Sequence, residues 1–223
     1  MDSPRMFVRG FLCGLLVLGP CLARADLLGD LSASDRAKVK AGEQVMTSET
    51  LDGYPWPRVR VYQKVNATPR EVVAVFFDYN NACHYIPNCL TSRISKELSP
   101  RSFEVDYVID VPILPDEAYT VRNELKEDGD DKLCVDWTVL RATSIVESRG
   151  NLAVEPFGDG SVIRYTNLVK PSSKAAFLLK GMAMSQMKDT VQAIVSQVQK
   201  QKGNPSALRA DVSRLDSALR GAN

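Results

Sequence analysis

The sequence predicts an α+β domain in which a curved antiparallel sheet of about seven strands wraps around a long C-terminal helix. Three observations carry this. Extended runs with two-residue alternation recur from residue 58 to residue 169. Short turn-forming separators such as Asp128-Gly129-Asp130 and Gly158-Asp159-Gly160 imply antiparallel hairpins between them. Beyond the last run, Phe177, Met184, Met187, Val191, Ile194 and Val198 form an apolar stripe that keeps helical spacing for about six turns.

The 223-residue chain opens with Arg5 and Arg9, an apolar run over residues 11–19, then Pro20 and the small-residue site Ala23-Arg24-Ala25. This is the pattern of a cleaved signal peptide over residues 1–25, and the run is short for a bilayer span. Cleavage near Ala25 implies a periplasmic or secreted protein. A lipoprotein signal ending at Cys21 competes, but Pro20 stands where such sites carry a small residue. The segment removes Arg5, Arg9, Arg24 and Asp2 from 28 basic and 27 acidic residues. The mature balance is then about −1, which gives no bulk attraction to nucleic acid. Cys83, Cys89 and Cys134 remain, an odd number that leaves at least one thiol unpaired.

Residues 26–42 read as an entry segment with a short helix, Ser34 as its cap and Gly42 as its stop. Residues 43–50 can extend before the Asp52-Gly53 turn and the Tyr54-Pro55-Trp56-Pro57 break. The first clear strand covers 58–66, with Val59, Val61 and Val65 opposite Arg60, Tyr62 and Lys64. Thr68-Pro69-Arg70-Glu71 then combines a capping threonine, proline at the first helical position and glutamate at the third. That helix stops near Asn80-Asn81, and a short helix or turn through Cys83-His84-Tyr85-Ile86 ends at Pro87. Six further strands are expected over 90–98, 103–111, 118–126, 133–142, 145–154 and 162–169. Phe103, Val105, Tyr107, Ile109 and Val111 share one face, and Leu133, Val135, Trp137 and Val139 another, which turns Trp137 inward. Pro171-Ser172-Ser173 opens the long helix. After Gly203-Asn204-Pro205, Leu208, Val212, Leu215 and Leu219 give residues 204–223 a weaker helical pattern, a tail that docks on the domain or on a partner.

Two segments carry a family resemblance. NATPREVVAVFFDYNNACHYIPNCLTSRI, residues 66–94, holds a Thr-Pro helix start, the Asp78-Tyr79 pair, and Tyr85-Ile86-Pro87 leading to a Ser-Arg strand. From Gly150 to Pro171 a Gly-x-Leu strand, a glycine turn and an Arg-Tyr-Thr strand lead through proline to the last helix. With the element order, these resemble the START-like superfamily (polyketide cyclase/dehydrase and lipid transport, SRPBCC), as a bacterial exported member with a domain over residues 43–203. The resemblance implies the helix-grip fold and a cavity between sheet and long helix that receives a lipid, polyketide or other apolar ligand. It implies no shared reaction, because carriers, sensors and cyclases use this fold.

Sheet alternation offers Tyr107, Tyr119, Asn123, Trp137, Arg149 and Asn167 as the polar or aromatic groups that face such a cavity, and the helix offers Phe177, Met184 and Met187. Each of these also suits an ordinary core. His84 is the single histidine and has no companion nucleophile or orienting group in the sequence, so it reads as structural and no catalytic residue is assigned. Cys83 and Cys89, six positions apart across the Pro87 turn, are candidates for a loop disulfide or for two thiols; with His84 and Cys134 they make an unfavourable zinc set. No phosphate-binding glycine loop and no Gly-x-Ser-x-Gly elbow is present. The lysines of the long helix, Lys174, Lys180, Lys188, Lys200 and Lys202, read as a solvated face or as a transient contact with a membrane surface. The expected function is binding and transport of a hydrophobic small molecule or lipid, without cofactor; the alternative is a cyclase or aromatase acting on a polyketide-like substrate.

Overall fold

The computed structural model describes residues 26–111, 115–129, 131–172 and 179–221. Residues 1–25, where a signal peptide is expected, lie outside the described residues, as do Lys174 and Phe177.

Eight strands form one antiparallel sheet: β1 (Val45–Glu49), β2 (Arg58–Val65), β3 (Cys89–Ser99), β4 (Ser102–Ile109), β5 (Glu117–Glu127), β6 (Leu133–Ala142), β7 (Ile145–Phe157) and β8 (Gly160–Pro171). Their order is β1-β2-β8-β7-β6-β5-β4-β3. The sequence expectation of about seven is therefore one short. The added strand is β1, in which Val45 alone is buried ahead of the Met-Thr-Ser-Glu stretch, and it pairs with β2 at the sheet edge. Consecutive strands from β3 to β8 pair as hairpins, and β8 returns beside β2. Register shifts between Ile94 and Lys96, between Thr120 and Val121, and between Ile145 and Glu147 insert residues that bend the strands locally.

Four α-helices accompany the sheet: α1 (Ala33–Lys40), α2 (Pro69–Phe77), α3 (Lys180–Lys202) and α4 (Pro205–Arg220). Helix α1 is capped by Ser32, whose side chain accepts from the Asp35 backbone N–H, and not by Ser34. The Ser-x-x-Asp spacing gives Ser32 a reciprocal partner, which Ser34 lacks. At α2 the expected capping box is complete: Thr68 Oγ1 accepts from Glu71 N–H at 3.2 Å, and Glu71 Oε2 accepts from Thr68 N–H at 2.8 Å. A 3₁₀ turn, Tyr79–His84, follows α2, and a disulfide joins Cys83 to Cys89 with a Cα separation of 4.8 Å.

The main core lies between the sheet and helices α2, α3 and α4. Val61, Val72, Val73, Val105, Val135 and Leu152 are fully buried there with Val191, Ile194 and Val198 of α3. Helix α4 packs against α2 through Leu208, Leu215 and Leu219, so the C-terminal tail docks on the domain and its apolar stripe is covered. Arg70 of α2 locks this arrangement by pairing with Asp216 of α4 at 2.7 Å, Glu127 of β5 at 2.7 Å and Asp131 at 3.2 Å. The Arg101 guanidinium donates to the carbonyls of Ala218 and Leu219 at the end of α4, where helical carbonyls lack intrahelical partners. On the opposite face of the sheet the entry segment makes a smaller cluster from Leu28, Leu31, Val39 and Val45 against Tyr62 and Val162.

Candidate functional site

The sheet and α3 do not close on each other along their whole length. A cavity of about 470 Å³ opens between β4–β8, the Tyr79–Cys89 turn and the first half of α3. Such a volume is within the range of small-molecule sites. Its geometry follows from strand alternation. Tyr107 and Ile109 of β4, Tyr119, Val121 and Asn123 of β5, and Trp137 and Val139 of β6 occupy alternating positions and line one wall. Ser148 of β7 with Tyr165, Asn167 and Val169 of β8 continues it. Phe76 of α2 and Tyr85-Ile86-Pro87 close one side, Met182, Met184 and Met187 of α3 form the lid, and Trp56 and Pro57 lie on the wall near β2.

The structure thus brings together Tyr107, Tyr119, Asn123, Trp137, Asn167, Met184 and Met187. Arg149 is a correction. Ser148 lines the cavity, and strand pleating turns the next residue outward. The exposed Arg149 meets Glu147 at 3.6 Å and Tyr54 Oη at 3.4 Å. Tyr165 joins the cavity wall from the same face of β8 as Asn167, two positions on, whose inward orientation signals it in the sequence. Tyr85 and Trp56 also line the cavity, Tyr85 from an irregular turn and Trp56 from a proline break, segments whose course no periodicity reveals.

Gly150 explains how Trp137 reaches its place. The two residues are cross-strand partners, and a Cβ on Gly150 would stand 2.5 Å from Trp137 Cζ2 and 2.1 Å from the Thr166 carbonyl oxygen. The indole fills the space that a side chain would take. From there Trp137 contacts Tyr165 at 5.0 Å and Phe76 at 6.2 Å between ring centroids, while Tyr107 and Tyr119 stack at 5.4 Å. The wall is mainly aromatic and aliphatic.

Its polar chemistry is sparse, with one acidic and one basic side chain, Glu117 and Lys180, among uncharged groups. Burial pushes the Tyr107 phenol up to about 12, and burial raises Tyr85, Tyr119 and Tyr165 as well, with smaller contributions from neighbouring tyrosines. These groups are hydroxyl donors at neutral pH, not bases. Tyr85 Oη donates to the Val75 carbonyl at 3.2 Å. Glu117 Oε1 accepts from the Ser144 N–H at 2.9 Å, and Ser148 Oγ donates to Asn167 Oδ1 at 3.5 Å. His84 does not line the cavity. Cys134 lies on β6 with its thiol pushed up to about 12, by burial first and by Asp136 next. Among the described residues no group of three His, Cys, Asp or Glu side chains could hold a metal ion, and no helix is long and apolar enough to cross a membrane.

An eight-stranded antiparallel sheet with a long helix over a cavity in its concave face decides the architecture. The fold is START-like, a helix-grip. Solved structures with this fold include the STAR-related lipid transfer protein of Xanthomonas axonopodis, with a TM-score of 0.63 and 17% identity, covering 70% of this chain and 93% of that one. The lipid transfer and protein localization domain of human StarD13 gives a TM-score of 0.53 and 14% identity, covering 74% and 93%. The di-domain ARO/CYC StfQ from the steffimycin biosynthetic pathway gives a TM-score of 0.53 and 10% identity, covering 77% and 55%. No family model and no curated protein matches the sequence. At these identities the likeness establishes the fold alone, and function has to be argued from the cavity.

Proposed function

We propose that this START-like domain binds one hydrophobic small molecule or lipid non-covalently in the cavity beneath α3, and carries it outside the cytoplasm once the signal segment has been removed near Ala25. One observation carries the reading: an apolar, aromatic-walled cavity of about 470 Å³ is roofed by three methionines and not filled by side chains. Unbranched thioethers adapt to ligands of different outline, which suits a lid over variable contents. The similarity to the STAR-related lipid transfer protein of Xanthomonas axonopodis supports this reading. The Cys83–Cys89 disulfide also agrees with an oxidising compartment.

Cyclase or aromatase chemistry is the second reading, drawn from the stacked Tyr107–Tyr119 pair in the cavity wall. It is the weaker one, because phenols raised by burial orient a carbonyl but do not remove a proton at neutral pH. Native mass spectrometry of the purified protein, before and after exposure to a total lipid extract, tests the first reading. A single adduct that is competed away by a second apolar compound is expected. A spectrum that stays free of adducts after exposure would contradict it.

A further inference from the structure

The cavity wall has two polar atoms that are sealed by the surrounding protein and find no acceptor among the described residues: Trp56 Nε1 and Asn123 Nδ2. Both are N–H donors. Asn123 is the more informative of the two, because it sits inside the wall at 3% exposure and its cross-strand partners are Phe103 on β4 and Trp137 on β6. Neither ring accepts a conventional hydrogen bond, and the cavity-facing neighbour on its own strand is Val121. A buried amide left without an acceptor is a net cost that an apolar residue of the same shape would avoid. An asparagine at this position therefore points to a partner supplied by the contents of the cavity. Rotation about its last side-chain bond is enough to present the NH₂ group to that space.

Charge narrows the partner further. The charged side chains of the wall are Glu117 and Lys180, one of each sign, and Glu117 is already engaged by the Ser144 N–H. No arginine or histidine lines the cavity among the described residues. An anionic head could pair only with Lys180 at the start of α3; one held by Asn123 on β5 instead would bear the desolvation of its charge.

We infer that the bound molecule is neutral and carries a hydrogen-bond-accepting oxygen, such as a ketone, ester or ether, which the Asn123 amide receives within the aromatic wall. This rests on the reading of the cavity as an apolar ligand site and specifies what that ligand must contain. Asn123 then acts as the specificity-determining residue that separates oxygenated molecules from plain hydrocarbons.

The test uses N-phenyl-1-naphthylamine as a fluorescent occupant, displaced by fluorene or by 9-fluorenone, a hydrocarbon and a ketone of nearly the same outline. In the wild-type protein and in Asn123→Leu, the ratio of the two affinities is the readout. The ketone-to-hydrocarbon ratio is expected to fall about tenfold in Asn123→Leu, with fluorene binding retained and Tm unchanged or higher. An equal ratio in both proteins would overturn the inference; a water that satisfies the amide gives that same result. Should the leucine variant fold poorly, Asn123→Ala supplies the same ratio. Failure of the wild-type protein to bind the fluorescent occupant at all would instead overturn the underlying reading of the cavity, so the two failures are distinguishable.

Discussion

The two halves of α3 face the same sheet and do different work. Val191, Ile194 and Val198 in the second half are each 0% exposed, wedged against α2 and the sheet. In the first half no residue from Lys180 to Thr190 is fully buried, and Met182, Met184 and Met187 lie over open space. The residue types match the division. β-Branched side chains with few rotamers fix the packed end in one arrangement, while flexible methionines cover the end that must accept something else. Stability is concentrated in one half of the helix–sheet contact and binding in the other.

Alkali should break this division most completely, because the half-buried phenols Tyr85, Tyr107, Tyr119 and Tyr165 all belong to the cavity half. Their values are raised above the ordinary 10, chiefly by burial. For a raised acid the stability is fully present below the unfolded value and is lost as pH rises toward the folded one. Absorbance at 295 nm and far-UV circular dichroism followed together from pH 9 to 12 should show these phenols ionising only as the fold is lost. Ionisation of the cavity tyrosines with the dichroism unchanged would show a wall open to bulk water.

Next in size is Ile194→Ala in the packed half, expected to destabilise by about 3–4 kcal/mol in urea unfolding with ligand affinity little altered. Gly150→Ala should destabilise by about 3 kcal/mol and quench or shift Trp137 fluorescence, since its methyl group would collide with the indole and with the Thr166 carbonyl. Reduction of the Cys83–Cys89 bridge, which closes a loop of sequence separation 6 beside Tyr85-Ile86-Pro87, should cost about 2 kcal/mol. The smallest stability effect is expected from Met184→Ala, about 1 kcal/mol or less, yet it should change ligand affinity severalfold, the reverse of Ile194→Ala. Equal stability losses for the two would erase the distinction between the halves.

Much of the packed half was legible in the sequence, because it depends on periodicity. The stripe through Val191, Ile194 and Val198, the box at Thr68–Glu71 and the inward face of β4 and β6 all follow from spacing alone. The cavity half was legible only where one strand's alternation sufficed, as for Tyr107 and Trp137. Arg149 was misplaced because its orientation depends on the pairing of Gly150 with Trp137 and Asn167, a register that no single strand announces. Strand β1 was missing from the count for a related reason: a mostly polar edge strand is recognised by its neighbour β2 and not by its own pattern. Cys83 and Cys89 were near in sequence, but only the turn through Pro87 brings their side chains together.

The central claim is that the space beneath the first half of α3 is a binding cavity. A titration of N-phenyl-1-naphthylamine into the wild-type protein and into Val139→Trp, which projects an indole into that space from β6, tests it most directly. The account predicts saturable fluorescence enhancement at about one site per chain in the wild type, and its loss in a Val139→Trp variant that keeps its melting temperature within a few degrees. Identical titration curves for the two proteins would contradict it.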